Sequence, residues 1–225
     1  MKKLVITGGE GLIGTQLKNY FKDKFEVISL DISLGHDLTD ELFVENFFWL
    51  NKDLYGIILL HAYNPLPLKE TKKIEPINFE LSELRDYMNV NVISAFDVCR
   101  NFIKNNKKGK IINVSSLYGE VAPKHHIYNN FTKHIGYSLS KSSIIMMTKY
   151  LATYYPKFNI NTVILGGVYQ KEFDSNFVKN YSQNTPKNRM MDVSEVTSCF
   201  EFLLKENSSY ITGTEIKVDG GWTAW

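Results

Sequence analysis

The chain has 225 residues, of which 44% are hydrophobic and 22% charged, a balance that supports one globular core and leaves little room for a second domain. Its net charge of +2 is too small, and its basic residues too scattered, to indicate a nucleic-acid-binding protein. Because no apolar run approaches the ~20 residues of a membrane helix and both cysteines fall in amphipathic segments, we expect a cytoplasmic protein with no membrane partner.

Short apolar runs alternate with amphipathic helical patterns along the chain. Six brief, partly β-branched runs are predicted as strands: Leu4–Thr7, Glu26–Leu30, Gly56–Leu60, Lys110–Val114, Ile160–Leu165 and Glu215–Val218. Helices are predicted between them, at about residues 12–22, 40–51, 80–105, 137–155 and 192–205. This alternation indicates βαβ units, and therefore a single α/β domain over residues 1–225 whose parallel sheet carries helices on both faces.

Three stretches fit no regular element, namely residues 65–79, 119–136 and 169–191. The third is polar and is predicted to be mobile. Each follows a predicted strand, and ligands of open α/β sheets bind beyond the carboxyl ends of the strands. We therefore expect these stretches to surround a binding site.

The first predicted strand is joined to the first predicted helix by the run Thr7-Gly8-Gly9-Glu10-Gly11-Leu12-Ile13-Gly14, in which three of the four glycines form a spaced triplet. Gly8 suits a tight turn, Gly11 lets the backbone approach a pyrophosphate, and Gly14 lets the helix pack closely on the strand. Because the amides of a helix N-terminus attract anions, the junction predicts a dinucleotide-binding loop; an ordinary tight turn is the alternative.

Asp31 ends the second predicted strand. A carboxylate there would accept hydrogen bonds from the hydroxyls of the adenosine ribose and repel a 2′-phosphate, so it favours NAD over NADP. An aspartate that only caps the next turn is the alternative. Asp37 and Leu38 follow in a short segment that we expect beside the adenine.

Tyr137 and Lys141 lie about one helical turn apart on a predicted helix and so share a face. We expect Lys141, together with a positive nicotinamide ring, to lower the pKa of Tyr137 to about 7. Tyr137 would then exchange a proton with a substrate hydroxyl or carbonyl while hydride moves. The same spacing at Tyr20 and Lys24 is interpreted as a solvated helix terminus.

The fourth predicted strand leads into Ser115 and Ser116, where a hydroxyl can hydrogen-bond a substrate oxygen; two serines that close a turn are the alternative. The order of all these motifs resembles that of the short-chain dehydrogenase/reductase family over nearly the whole chain. The matching positions are Gly8, Gly11, Gly14, Asp31, Asp37, Asn91, Ser116, Tyr137, Lys141, Gly166, Gly167 and the tail from Ile211 to Gly221.

This resemblance implies an NAD(H)-dependent oxidoreductase with a single-domain Rossmann fold, a doubly wound seven-stranded parallel sheet with helices on both faces. It implies that Ser116 orients the substrate, Tyr137 is the acid/base, Lys141 binds the nicotinamide ribose and Asn91 holds a proton-relay water. Further cofactor contacts are expected at Leu12, Ile13, His61, Ala62, Gly166 and Val168. The resemblance also implies a homotetramer or homodimer built on the helices near Asn91 and Tyr137.

Some positions depart from the family's pattern. The glycine spacing matches a longer, two-lobed branch that handles nucleotide sugars, whereas the length and the Val-Asp-Gly-Gly tail match the shorter branch. The usual Asn-Asn-Ala-Gly is here Leu60-His61-Ala62-Tyr63, and the usual Pro-Gly is Leu165-Gly166. We expect altered contacts at both places.

The segment between Ser116 and Tyr137 is longer than usual, and residues 123–134 are basic and aromatic. Residues 115–123 and 166–168 resemble a subgroup of oxidoreductases associated with flagellin glycosylation and nonulosonic-acid sugar pathways. This favours a sugar or sugar phosphate as the small-molecule substrate, in surface-glycan biosynthesis. The candidates for binding an anionic group are Lys124, Lys133, His125, His126 and His134; a solvated loop or a subunit contact is equally open. No metal site is expected, because the segment lacks a Cys, Asp or Glu to complete one.

Two other functions stay open. The glycine spacing suggests a nucleotide-sugar epimerase or dehydratase, but the chain has no room for a substrate lobe. A non-catalytic dinucleotide-binding protein would explain the altered positions at His61 and Leu165. Against it stand the intact Ser116, Tyr137 and Lys141, together with Asn91.

Overall fold

In a computed structural model, which describes residues 1–68 and 72–225, all six predicted strands form one sheet. The strands are β1 (Lys3–Thr7), β2 (Glu26–Leu30), β3 (Gly56–Leu59), β4 (Gly109–Ser116), β5 (Phe158–Leu165) and β6 (Glu215–Val218). Their order is β2-β1-β3-β4-β5-β6, and every neighbouring pair is parallel. The order reverses between β1 and β3, which is where this class of sheet opens a crevice for ligands.

Helices cover both faces of the sheet, as predicted. They are α1 (Leu12–Phe21), α2 (Glu41–Leu50), α3 (Leu81–Met88), α4 (Ser94–Asn105), α5 (Ile135–Tyr154), α6 (Ser175–Gln183) and α7 (Thr197–Leu204). Side chains of α2, α4 and α5 pack on one face with Val5, Ile57 and Ile111, and those of α1 and α7 pack on the other with Leu4 and Ile6. None of the helices in the described ranges is long and apolar enough to cross a membrane.

The sheet has six strands in the described residues, where the family resemblance implies seven. From the end of β2 the chain enters a 3₁₀ turn at Ile32–Leu34 and then α2. A further parallel strand would need a crossover of roughly a dozen residues, usually a helix. Residues 31–40 are too few for both a crossover and a strand, so β2 forms the edge of the sheet.

Two helical segments differ from the prediction. The predicted helix at 80–105 contains a π-helical turn at Asn89–Ile93, between α3 and α4. The stretch 169–191, predicted as irregular, contains α6. Phe173, Phe177 and Tyr181 are buried at intervals of four residues, so α6 and Phe173, two residues before it, present one aromatic face to the protein.

A third apolar cluster lies apart from the two that flank the sheet. It joins Tyr87 of α3, Tyr137 of α5 and the aromatic face of α6 to Tyr118, Tyr128 and Trp222. The segments that carry these side chains follow the carboxyl ends of β3, β4, β5 and β6. The cluster therefore forms a wall of the crevice.

Candidate active site

The glycine loop borders the crevice at the end of β1. Gly8 has φ +65°, and a Cβ there would lie 2.8 Å from the backbone nitrogen of His61. A Cβ at Gly14 would lie 2.3 Å from the carbonyl oxygen of Gly8, whereas one at Gly11 would meet only that same oxygen, at 3.4 Å. Gly8 and Gly14 are thus required by the protein's own packing, while Gly11 borders open space in the crevice.

The N-terminus of α1 has unsatisfied amides. Its N-cap is Gly11, which supplies no side-chain hydrogen bond, and the first turn holds no acidic residue. Gly11, Leu12 and Ile13 line the crevice. Free amides and the helix dipole make such a terminus a site for an anionic group, so the loop fits the pyrophosphate of a dinucleotide.

Asp31 lies beside this loop, and it also caps the next turn. Its Oδ1 accepts hydrogen bonds from the backbone nitrogen of Ser33 at 3.0 Å and from the Ser33 hydroxyl at 2.8 Å, and its Oδ2 accepts one from the Glu10 nitrogen at 3.0 Å. Burial acts to raise the pKa of Asp31, but these hydrogen bonds outweigh it and the pKa is lowered. The carboxylate is therefore ionised near neutral pH.

The predicted contacts to the adenosine half of a dinucleotide lie together in one cavity. Its lining includes Gly8, Gly11, Asp31, Asp37, Leu38, His61 and Ala62. The Asp37 carboxylate accepts hydrogen bonds from the Thr39 nitrogen at 2.8 Å and hydroxyl at 2.7 Å, which lower its pKa. Two ionised carboxylates thus line this part of the crevice.

His61 links three elements at the departure from the family's pattern. Ser94 donates its hydroxyl proton to the Val90 carbonyl at 2.7 Å, so its oxygen accepts from His61 Nε2 at 2.9 Å. Thr7 accepts from the Leu60 nitrogen at 3.2 Å and donates to His61 Nδ1 at 2.6 Å. Burial, and secondarily the charge of Lys141, lower the pKa of His61 to about 3, so the ring is neutral.

The predicted catalytic side chains meet at the other half of the crevice. Ser116 ends β4, Tyr137 and Lys141 come from α5, and all three line one cavity with Gly166 and Val168. The Ser116 hydroxyl lies close enough to Tyr137 to act on its pKa, and Lys141 Nζ lies 5.9 Å from the centroid of the Tyr137 ring. Lys141 also donates to the Val114 carbonyl at 3.0 Å, which fixes its ammonium at the base of the cavity.

Burial dominates the pKa of Tyr137. Burial raises it above its ordinary value, and the hydrogen bond with Ser116 offsets only part of that rise. Burial also lowers the pKa of Lys141 to about 8. The chain's own side chains therefore do not lower the pKa of Tyr137, because burial outweighs the hydrogen bond of Ser116, and the lowering expected with a positive nicotinamide ring stays a prediction.

Asn91 lies in the π-helical turn and is 2% exposed. Its Oδ1 accepts from the Tyr63 nitrogen at 2.6 Å, and its Nδ2 donates to the Tyr63 carbonyl at 3.1 Å and to the Ser140 hydroxyl at 3.0 Å. It also borders a small cavity with His61 and Lys141. These contacts show that Asn91 ties the segment after β3 to α5, and its proton-relay role stays a prediction.

Comparison with known proteins decides the family. A family model described as enoyl-(acyl carrier protein) reductase matches residues 27–223, which is most of the chain. The chain belongs to the short-chain dehydrogenase/reductase family. A crystal structure of a short-chain dehydrogenase from Leptospira borgpetersenii with bound NAD⁺ has a TM-score of 0.85 and 26% identity, and the match covers 99% of this chain and 92% of that one.

Two relatives extend over nearly the whole chain. Post-translational flagellin modification protein A of Campylobacter coli is 26% identical, with 94% of this chain and 83% of that protein covered. NAD-dependent glycerol dehydrogenase of Listeria innocua is 27% identical, with 99% and 94% covered. A small-chain dehydrogenase in complex with NADPH has a TM-score of 0.83 at 19% identity, which shows a shared fold. The protein is thus a dehydrogenase or reductase that uses a nicotinamide dinucleotide.

The basic residues of the long segment before α5 lie in different surroundings. His125 and His126 are exposed, and His134 is buried as the N-cap of α5, where its Nδ1 accepts from the Gly136 nitrogen at 3.0 Å. Lys124 donates to Asn184 Oδ1 at 2.9 Å and is not part of the cavity lining. Lys133 is buried and lines the cavity beside Tyr137.

Much of the cavity wall was missing from the prediction. It is formed by Tyr118, Tyr128, Phe173, Phe177 and Tyr181. The four-residue spacing of the last three was a readable signal of a helix, although the polar composition around them hid it. Tyr118 and Tyr128, whose hydroxyls hydrogen-bond each other at 2.8 Å, gave no such signal.

Proposed function

We propose that the protein is a cytoplasmic, NAD(H)-dependent enzyme that interconverts an alcohol and a carbonyl on a sugar or sugar phosphate, in surface-glycan biosynthesis. One observation carries this proposal. Ser116, Tyr137 and Lys141 line the same cavity as Gly11 and the N-terminal turn of α1. A substrate held on the hydroxyls would therefore face a dinucleotide held on the loop.

The reaction assigns a task to each side chain. When bound, the dinucleotide accepts hydride from the substrate alcohol or gives hydride to the carbonyl. In oxidation Ser116 hydrogen-bonds the substrate oxygen, and Tyr137 takes the hydroxyl proton as the C–H electron pair leaves with its hydrogen. In reduction Tyr137 returns a proton to the oxygen. The balance is alcohol plus NAD⁺ giving carbonyl, NADH and one proton.

Two ammonium groups support the proton transfer. Lys141 lies 5.9 Å from the Tyr137 ring centroid and Lys133 lies 3.9 Å from it. Positive charge beside the ring stabilises the phenolate against the cost of burial, so it makes deprotonation of Tyr137 easier. Lys141 additionally fits the hydroxyls of a nicotinamide ribose.

The preference for NAD over NADP rests on negative charge beside the adenosine cavity. Asp31 lines that cavity, and the backbone nitrogen of Glu10 donates to Asp31 Oδ2 at 3.0 Å. The Glu10 carboxylate accepts from the Ser29 hydroxyl at 2.7 Å and pairs with Lys18, which lowers its pKa. An added 2′-phosphate would meet Asp31 with the Glu10 carboxylate close by, whereas ribose hydroxyls would find an acceptor.

The cavity lining supports a carbohydrate-like substrate. The lining combines aromatic rings with amide groups from Asn64 and Gln170 and hydroxyl groups from Tyr118, Tyr128 and Tyr181. The relatives include the flagellin modification protein, the glycerol dehydrogenase and a 2-dehydro-3-deoxy-D-gluconate 5-dehydrogenase of Dickeya dadantii, 29% identical over 68% of this chain. Flat apolar faces beside hydrogen-bonding groups suit the alternating C–H and O–H surfaces of sugars.

We also propose a homodimer or homotetramer in which subunits meet through the outer faces of α4 and α5. These faces expose Phe96, Leu139, Met146 and Tyr150, and Ile93 is exposed at the end of the π-helical turn next to α4. Exposed apolar patches of this kind mark association surfaces. Light scattering coupled to gel filtration tests the proposal, and replacing Phe96 and Tyr150 with Asp would release monomers.

The Tyr137→Phe variant tests the enzymatic proposal. Wild-type protein is expected to form NADH, followed at 340 nm, with members of a panel of sugar and sugar-phosphate alcohols. Tyr137→Phe removes the proton acceptor and should lower turnover by about 10²–10⁴-fold while NADH binding is kept. An epimerase or dehydratase would convert substrate without net NADH, and a non-catalytic binding protein would show no Tyr137-dependent turnover; either result refutes the proposal.

A further inference from the structure

Lys133 brings a second ammonium to the catalytic cavity. The residue is 6% exposed, and its Nζ lies 3.9 Å from the centroid of the Tyr137 ring. The Nζ donates to Asn64 Oδ1 and to the Pro65 carbonyl, the latter at 3.1 Å. A lysine ammonium has three N–H donors, so one is left beyond these two contacts.

The charge of Lys133 has no compensating partner among the residues that the structure describes. Both of its hydrogen-bond acceptors are neutral oxygens, and none of the described residues that line the cavity is acidic. Lys141 adds a second positive charge to the same cavity. Burial and the charge of Lys141 lower the pKa of Lys133 to about 7, because both make the charged form of Lys133 less favourable. Buried charges are normally paired, so a partner from outside the chain is expected here.

We propose that Lys133 is a substrate-binding residue that pairs with an anionic group, a carboxylate or a phosphate, carried by the substrate close to its reacting carbon. This inference rests on the proposed function and narrows its substrate to acidic sugars or sugar phosphates. The anionic group must lie near the reacting carbon, because Lys133 and the proton-accepting Tyr137 are in contact. The pair would be charge-assisted on both sides and shielded from water.

The long segment before α5 supplies a matched control. Lys124 also donates to an amide oxygen, that of Asn184 at 2.9 Å, and also lies over an aromatic ring, that of Trp222 at 5.0 Å. It differs from Lys133 in not lining the cavity. A Lys124→Met variant therefore loses the same kind of local contacts without loss of the cavity's charge.

Three polyols that differ in charge test the proposal: D-glucitol, D-gluconate and D-glucitol 6-phosphate. Each is titrated calorimetrically into wild-type protein saturated with NADH, and into Lys133→Met, Lys133→Arg and Lys124→Met. At least one of the two anions should bind the wild type roughly 10- to 100-fold more tightly than glucitol. Which anion does so distinguishes the carboxylate from the phosphate. Lys133→Met should abolish this preference, while Lys133→Arg and Lys124→Met keep it.

Equal affinities of the three polyols for the wild type, or a preference that survives in Lys133→Met, would overturn the inference. Should Lys133→Met fail to fold, as judged by circular dichroism and NADH affinity, Lys133→Gln replaces it, because its amide can still donate to the Pro65 carbonyl. If Lys133 acted only by positioning Tyr137, its loss would lower turnover of neutral and anionic alcohols equally and leave their relative affinities unchanged. Failure of the dehydrogenase proposal is seen separately, as absent NADH binding or absent Tyr137-dependent turnover.

Discussion

An added methyl group should have different effects at Gly14 and at Gly11. At Gly14 it should lower the stability of the fold, and at Gly11 it should weaken cofactor binding. In Gly14→Ala the new Cβ would lie 2.3 Å from the Gly8 carbonyl oxygen and 2.6 Å from the Gly9 Cα, both backbone atoms that cannot rotate away. Overpacking of this kind costs about 1–3 kcal/mol, at the upper end where backbone must shift, and the gain in helix propensity offsets about 1 kcal/mol. A net loss of about 2 kcal/mol lowers the melting temperature by roughly 4–8 °C in a chain of this size.

Gly11→Ala should leave stability nearly unchanged. Gly11 has φ −71° and ψ 175°, an extended conformation open to any residue, and its Cβ would have only a 3.4 Å neighbour. The weaker N-cap costs about 0.5–1 kcal/mol, and the less flexible unfolded chain returns a similar amount. The methyl group would instead occupy space at the anion-binding amides, so NADH should bind at least about tenfold more weakly.

Thermal unfolding followed by circular dichroism, without added cofactor, measures the first effect, and fluorescence titration with NADH measures the second. The reasoning is refuted if Gly14→Ala melts within about 1 °C of the wild type. It is equally refuted if Gly11→Ala loses as much stability as Gly14→Ala, since the loop would then be a packing feature throughout.

Two further predictions concern charge. Because the pKa of His61 is about 3 in the folded protein and ordinary in the unfolded chain, protonation favours unfolding, and stability should fall below about pH 6.5 by up to ~1.4 kcal/mol per pH unit. Urea unfolding at pH 7.5 and 5.5 should show a smaller difference for His61→Asn, and an unchanged difference would contradict the buried neutral ring. Asp31→Asn keeps the cap on Ser33 but removes the charge, so the ratio of NADPH to NADH affinity should rise by about tenfold; a constant ratio in paired titrations would remove Asp31 from cofactor selection.

Regular periodicity explains which parts of the fold could be predicted. The six strands are short apolar runs, and the helices that flank the sheet repeat apolar residues with the helical period. The predicted ends of these elements differ from the observed ends by only a few residues. The π-helical turn at Asn89–Ile93 was missed because one widened turn barely disturbs a pattern of 3.6 residues. The seventh strand was expected by resemblance alone, and the residues between β2 and α2 leave no room for one.

Residue types and spacing were enough to predict that Ser116, Tyr137 and Lys141 share one site. They were not enough to predict the pKa values of these side chains. Shared position on a helix face says that two side chains are neighbours, whereas the pKa of Tyr137 is set mainly by its burial, which raises it. The direction of the Lys141 ammonium, toward the Val114 carbonyl, is set by the end of β4 and cannot be read from a four-residue interval.

The position of Lys133 could not be predicted from its spacing in the sequence either. It too stands four residues from Tyr137, but α5 begins at Ile135, so the helical rule does not place it. Its position over the Tyr137 ring comes from its hydrogen bonds to Asn64 and Pro65, in the segment that follows β3. The basic character of the insert therefore indicated anion binding without indicating which lysine. The path of the chain then leaves Lys124 outside the cavity and brings Lys133 into it, next to the group that moves the proton. An anion bound there would neutralise Lys133 and reduce its repulsion with Lys141, which would leave Lys141 as the positive charge that stabilises the Tyr137 phenolate.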